Sequence, residues 1–211
     1  MNIPIAIADD NTVFLEGLCS VINSFPDFKV IIKTNDGQRL LDQIDKSKTK
    51  PRICIFDISL PIVNGYNTLK EIKERWPDMK VLILSMISNE FNVLRSIKIG
   101  ANGFLIKGCK VDDLHDALKM IVDTGAYYAN FIDIKDRKTE AREKILLNLS
   151  YREMDFLSLC CTELTYKGIA EKMNVSMSTI ESYKKTLFEK VNVNSRIGLV
   201  LFALNLGILP R

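Results

Sequence analysis

Five short apolar runs, residues 3–8, 29–33, 52–56, 81–84 and 103–106, alternate with segments whose apolar residues recur at helical spacing. The last four runs are rich in β-branched or aromatic residues, as strands buried on both faces must be. Between the runs, Phe14, Leu18, Val21 and Ile22 mark one face of a helix. Leu69, Ile72 and Trp76 mark a second, Val93 and Ile97 a third, and Val111, Leu114, Leu118 and Ile121 a fourth. Pro26, Pro51 and Pro77 fall between elements, where helices stop. Five βα units in this order predict an α/β doubly wound domain: a five-stranded parallel sheet with helices on both faces.

Such sheets build binding sites just beyond the carboxyl ends of their strands. Asp9 and Asp10 follow the first run, Asp57 the third, Ser85 the fourth and Lys107 the fifth. Each alone carries little, since an Asp pair is more often a solvated loop or a helix cap, and Asn11 and Thr12 are rival caps. Together, at successive strand ends, they converge on one crevice. Adjacent carboxylates repel each other unless a proton or cation intervenes, and Mg²⁺ takes carboxylate and phosphate oxygens. Asp57 would add an oxygen ligand and a nucleophile able to form an acyl phosphate. Lys107 would neutralise phosphate charge, and the Ser85 hydroxyl would donate a hydrogen bond to it.

After residue 123 the pattern changes. Charges of both signs crowd together between Asp133 and Lys144, which reads as a linker over 126–148, dividing a domain at 1–125 from one at 149–211. The second shows only helical periodicity and predicts a small all-α module of four helices. Tyr166–Met173, the turn Asn174-Val175-Ser176 and Met177–Val191 have the layout of a helix-turn-helix. An exposed lysine pair is usually just a solvated face. In this layout Glu181, Ser182, Lys184 and Lys185 would face DNA, with Lys190 and Arg196 meeting phosphates. The net charge of +3 is compatible with that role without proving it. The last helix is apolar nearly all round, which implies a second surface and dimerisation.

With 211 residues, 47% of them hydrophobic, the chain can bury two cores. No apolar stretch approaches the roughly 20 residues that span a bilayer, and the N-terminus lacks a signal pattern, so a cytoplasmic protein without membrane contact is expected. Five cysteines without a CxxC pair, beside one histidine, argue against zinc.

The first domain resembles the receiver domain of bacterial two-component response regulators, which is flavodoxin-like. The resemblance rests on Asp57-Ile58-Ser59-Leu60-Pro61 followed by Gly65, on Gly100-Ala101-Asn102-Gly103-Phe104, and on Lys107. It implies that Asp57 is the phosphoacceptor of a sensor histidine kinase and that Asp9, Asp10, Asp57 and the Ser59 backbone carbonyl hold Mg²⁺. Lys107 then contacts the phosphoryl group. Ser85 and Phe104 form a switch pair that reshapes the surface around the fourth helix and fifth strand, although Phe104 also reads as a plain core aromatic. Ser59 and Ile87 would flank the path of attacking water, and the apolar Ile87 predicts a long-lived phosphate. Ser59 also stands where a haloacid-dehalogenase-like phosphatase needs an acidic aspartate, which sets that reading aside.

The second domain resembles the LuxR-type DNA-binding domain through Leu149-Ser150-Tyr151-Arg152-Glu153, Ile169 to Met173, Ser178-Thr179-Ile180-Glu181 and Leu187 to Ser195. It departs from that pattern at Leu164 to Gly168, and Tyr183 replaces the usual histidine. The combination is that of NarL/FixJ-type regulators. It implies a transcription factor rather than an enzyme, binding double-stranded DNA with Thr179 on the reading helix and RNA polymerase as a further contact. A homodimer is expected on phosphorylation or on DNA. The alternative is an atypical regulator controlled by protein contact.

Overall fold

The computed structural model describes residues 2–86, 90–127, 145–146, 148–206 and 208. The chain forms two compact units, one of residues 1–88 with 99–132 and one of 89–98 with 133–211.

The first unit holds a parallel sheet in the order β2-β1-β3-β4-β5. Its strands are β1 (Ile3–Ala8), β2 (Phe28–Thr34), β3 (Ile53–Phe56), β4 (Lys80–Ser85) and β5 (Gly103–Ile106). Its helices are α1 (Thr12–Ser24), α2 (Gly37–Lys46), α3 (Gly65–Arg75) and α5 (Val111–Thr124), whereas α4 (Glu90–Ile99), between β4 and β5 in sequence, belongs almost wholly to the second unit. Side chains alternate across each strand. Ile5, Ile7, Ile53, Ile55, Leu82, Leu84 and Leu105 join α1 and α5 in one core. The alternate positions Ala6, Cys54, Phe56, Val81, Ile83 and Phe104 are buried too, as a sheet covered on both faces requires.

Register places the site. Ala8 lies opposite Phe56, and Ser85 opposite Ile106. Asp9 and Asp57 therefore leave adjacent strands side by side, and Lys107 leaves the same edge one strand further on, beyond β4. Their backbones continue the ladder: Asp57 N–H donates to Ala8 O at 3.4 Å and Lys107 N–H to Ser85 O at 3.0 Å. Side-chain caps start the helices, Asn11 accepting from Phe14 N–H, Asp36 from Arg39 N–H and Asn64 from Asn67 N–H. At Gly65 a Cβ would lie 2.4 Å from the Asp57 carbonyl oxygen, so only glycine lets α3 start against the loop that carries Asp57.

The second unit includes α6 (Tyr151–Cys160), α7 (Tyr166–Met173), α8 (Met177–Val191) and α9 (Arg196–Asn205). Met154, Phe156, Leu157, Ile169, Ile180, Leu187, Leu199 and Ala203 form its buried centre, with Phe91 in the same cluster. Ser150 and Glu153 close a capping box on α6, and Ser176 accepts from Thr179 N–H to start α8. Asn174 and Asn192 end α7 and α8 in the left-handed conformation, which asparagine tolerates better than most residues. No described helix is long and apolar enough to cross a membrane. Most of the expected linker, 128–144 and 147, lies outside the described residues.

Candidate functional site

At the carboxyl edge of the sheet, Asp9 and Asp57 are both buried, exposed by 2% and 4%. The Lys107 ammonium bridges them, 2.7 Å from Asp9 Oδ2 and 2.9 Å from Asp57 Oδ2. Asp9 Oδ1 accepts from Asn11 N–H at 3.0 Å. Among the described residues, Asp57 Oδ1 is buried with no hydrogen-bond partner. Burial pushes the Asp9 carboxyl above its ordinary range, and the bonds from Lys107 and Asn11 offset that only in part. Burial also opposes the Lys107 charge, but the hydrogen bonds to Asp9 and Asp57 outweigh it and hold the ammonium above its ordinary value. The pocket therefore keeps a fixed cation beside a nucleophilic carboxylate.

The other expected residues lie around this pair. Asp10 is exposed, Ser59 half-buried, Ser85 fully buried at the end of β4, and Phe104 fully buried within the neighbouring β5. Among the described residues no group of three or more His, Cys, Asp or Glu is gathered to hold a metal, and the Lys107 ammonium is paired with both buried carboxylates. The donor set still fits a hard cation: among the described residues Asp57 Oδ1 is a buried carboxylate oxygen without a hydrogen bond, and Mg²⁺ takes such oxygens. Ile87 lies outside the described residues.

Phe14 reads in the sequence as one more apolar residue on the α1 face. In the fold it is half-buried, and Lys107 Nζ lies over its ring, 4.9 Å from the centroid. No sequence signal pairs these two residues, which are separated by most of the domain.

In the second unit, Glu181, Ser182 and Lys185 are exposed on α8, while Ile180, Leu187 and Val191 face the core. The Thr179 hydroxyl shares a 2.8 Å hydrogen bond with Ser176 Oγ at the head of the helix. Lys184 pairs with Glu181 and lies over the Tyr166 ring. Two expected phosphate contacts have other partners. Lys190 Nζ donates to Glu153 and to the Asn148 carbonyl, each at 2.9 Å. Arg196 donates to the carbonyls of Cys160 and Thr162, at 3.1 and 2.8 Å, and stacks on Tyr166. Both side chains tie helices together, because a long cation beside unsatisfied helix-end carbonyls finds its bonds there. On α9 the apolar residues divide: Leu199 and Ala203 point inward, while Ile197, Leu201 and Leu204 are exposed at i, i+4 and i+7.

A doubly wound domain with a carboxylate–lysine crevice, followed by a helix-turn-helix module, defines a two-component response regulator that binds DNA. The chain belongs to the response regulator receiver family, whose model covers residues 5–119, and residues 147–203 match the LuxR family of bacterial regulatory proteins. It is 28% identical to the transcriptional regulatory protein DegU of Brevibacillus brevis, over 97% of this chain and 94% of that protein. It is equally similar to the oxygen regulatory protein NreC of Staphylococcus carnosus, over 97% and 98%. The arrangement is that of NarL/FixJ-type regulators. Among solved structures, RcsB of Salmonella enterica serovar Typhimurium bound to the promoter rprA shares the fold, with a TM-score of 0.74 and 23% identity over 96% of this chain and 98% of that one. An RcsB–DNA complex gives 0.72, at 23% identity over the same shares.

Proposed function

We propose that this regulator is switched by phosphorylation of Asp57 by a sensor histidine kinase. The observation that carries the reading is the buried Asp57 carboxylate, with one oxygen bound to Lys107 and the other unpartnered. That free oxygen attacks phosphorus, the bond from phosphorus to the donor's nitrogen breaks, and an acyl phosphate forms on Asp57. Lys107 meets the new negative charge. Asp9, Asp10, Asp57 and the Ser59 backbone carbonyl would hold Mg²⁺, which supplies charge neutralisation for the phosphoryl oxygens when bound.

Ser85 and Phe104, buried on adjacent strands, are the pair through which phosphate reaches the domain surface. The protein acts in the cytoplasm as a transcription regulator, not an enzyme. Its receiver spans 1–125, its linker 126–148 and its DNA-binding domain 149–211. Helix α8 enters the major groove of double-stranded DNA with Thr179, Glu181, Ser182, Lys184 and Lys185. Lys190 and Arg196 serve that surface by fixing the helices behind it. The exposed stripe Ile197, Leu201 and Leu204 pairs with its copy in a homodimer, for which an outward apolar row on a short helix is suited. RNA polymerase is a further contact of the assembled dimer.

The test is DNA binding of the full chain with and without beryllofluoride and Mg²⁺, followed alongside sedimentation. Tighter specific binding and a shift to dimer on adding the phosphoryl mimic are expected, and Leu201→Asp should abolish the dimer. Unchanged affinity and mass with the mimic bound would favour control by protein contact instead.

A further inference from the structure

Lys107 is a cation held almost out of water, its side chain 10% exposed, and three surfaces surround its ammonium. Two are the carboxylates of Asp9 and Asp57. The third is the Phe14 ring, whose face carries the negative part of the aromatic quadrupole, 4.9 Å from Nζ. Phe14 comes from the first turns of α1, fixed there by Asn11, whose side chain accepts from the Phe14 N–H at 3.1 Å. The ring is thus anchored independently of β5, which carries Lys107.

We propose that Phe14 is a positioning residue for phosphotransfer: its ring keeps the Lys107 ammonium in the crevice when the carboxylates are engaged by the phosphoryl chemistry. This rests on the reading of Asp57 as phosphoacceptor. Before reaction, Lys107 is paired with the carboxylates of both Asp9 and Asp57. Once Asp57 carries the phosphoryl group its carboxyl is neutral, and Lys107 exchanges its ion pair with that carboxylate for one with the phosphoryl oxygens. The ring does not take part in that exchange. It holds the cation through the step and leaves its donors free for phosphoryl oxygens. A plain core role would need only an apolar side chain of similar size. That role leaves unexplained why the ring is half-buried at the crevice edge with its face toward a cation.

The experiment uses the full chain with fluorinated phenylalanines at position 14, which empty the ring face of negative potential while keeping its shape, together with Phe14→Leu and Phe14→Tyr. Two readouts are taken: the initial rate of acyl phosphate formation from acetyl phosphate and Mg²⁺, and the NMR shifts of the Lys107 ε-protons in metal-free protein. Those protons should be moved upfield by the ring current in wild type and in Phe14→Tyr, and not in Phe14→Leu. The rate should fall stepwise with fluorine number, by about 2- to 30-fold in all, the span that aromatic–cation attraction allows. Phe14→Tyr should retain most of it. A flat rate across the fluorine series, or the same Lys107 shifts in Phe14→Leu, would overturn the proposal. Absence of labelling in wild type would instead refute the phosphoacceptor reading, with the ε-proton shifts still deciding where Lys107 is held.

Discussion

Ile62 follows the loop that carries Asp57, with φ at 64° and the residue 81% exposed. A β-branched residue in the left-handed region carries strain of about 1–2 kcal/mol, and here no burial offsets it. Ile62→Gly should raise stability by up to about 1 kcal/mol, after the added freedom of glycine in the unfolded chain is subtracted. Denaturant unfolding would show this as a higher midpoint; a lower one would mean the exposed side chain contributes more than its setting suggests. Asp9, Asp57, Ser85 and Lys107 were legible because each follows an apolar run, and in a parallel sheet that position alone defines a shared edge. Phe14 was not, since its partner is brought to it only when β5 pairs with β4 and α1 packs beside them. Nor did the sequence separate Asp10, exposed at the rim, from Asp9, buried beneath it.

Along α8 the proposed DNA contacts have measurable consequences. Lys185→Ala should weaken binding to specific and non-specific DNA alike and reduce the salt dependence by about one unit of slope. Glu181→Ala should change base preference, because a carboxylate near the helix start can accept from the cytosine amino group. A selection profile identical to wild type would reject that contact. Burial alone would raise the Glu153 carboxyl, but Lys190, the Ser150 backbone and the Ser150 side chain together hold it below the ordinary 4.5. A lowered folded value means the stabilisation is complete above about pH 4.5 and is lost as pH falls through the lowered value. Acid titration of the unfolding midpoint should show this limb, and Glu153→Gln should flatten it while lowering stability at neutral pH. Composition could not show this, because a Lys and a Glu separated by 37 positions look like two surface charges until α6 and α8 pack.

At the scale of the whole molecule, alternation of strand and helix patterns followed by helices alone foretold one sheet unit and one helical unit. Strand ends were recovered to within a residue or so, as were the bounds of α7 and α8, where Ser176 caps the second helix, whereas α2, started by Asp36, was marked by no residue in the sequence reading. The allocation of residues 89–98 to the second unit was not foreseen, because periodicity reveals which face of a helix is apolar and not what covers it. The same holds for α9, whose all-round apolar look resolved into a buried face and an exposed stripe. The central claim is that Asp57 receives the signal. Its most direct test is intact-mass analysis of the full chain after incubation with acetyl phosphate and Mg²⁺, with the modified residue mapped by borohydride reduction. One phosphoryl group per chain, dependent on Mg²⁺, located at Asp57 and absent from Asp57→Asn, is predicted. Stoichiometric, Mg²⁺-dependent labelling that survives in Asp57→Asn would contradict it.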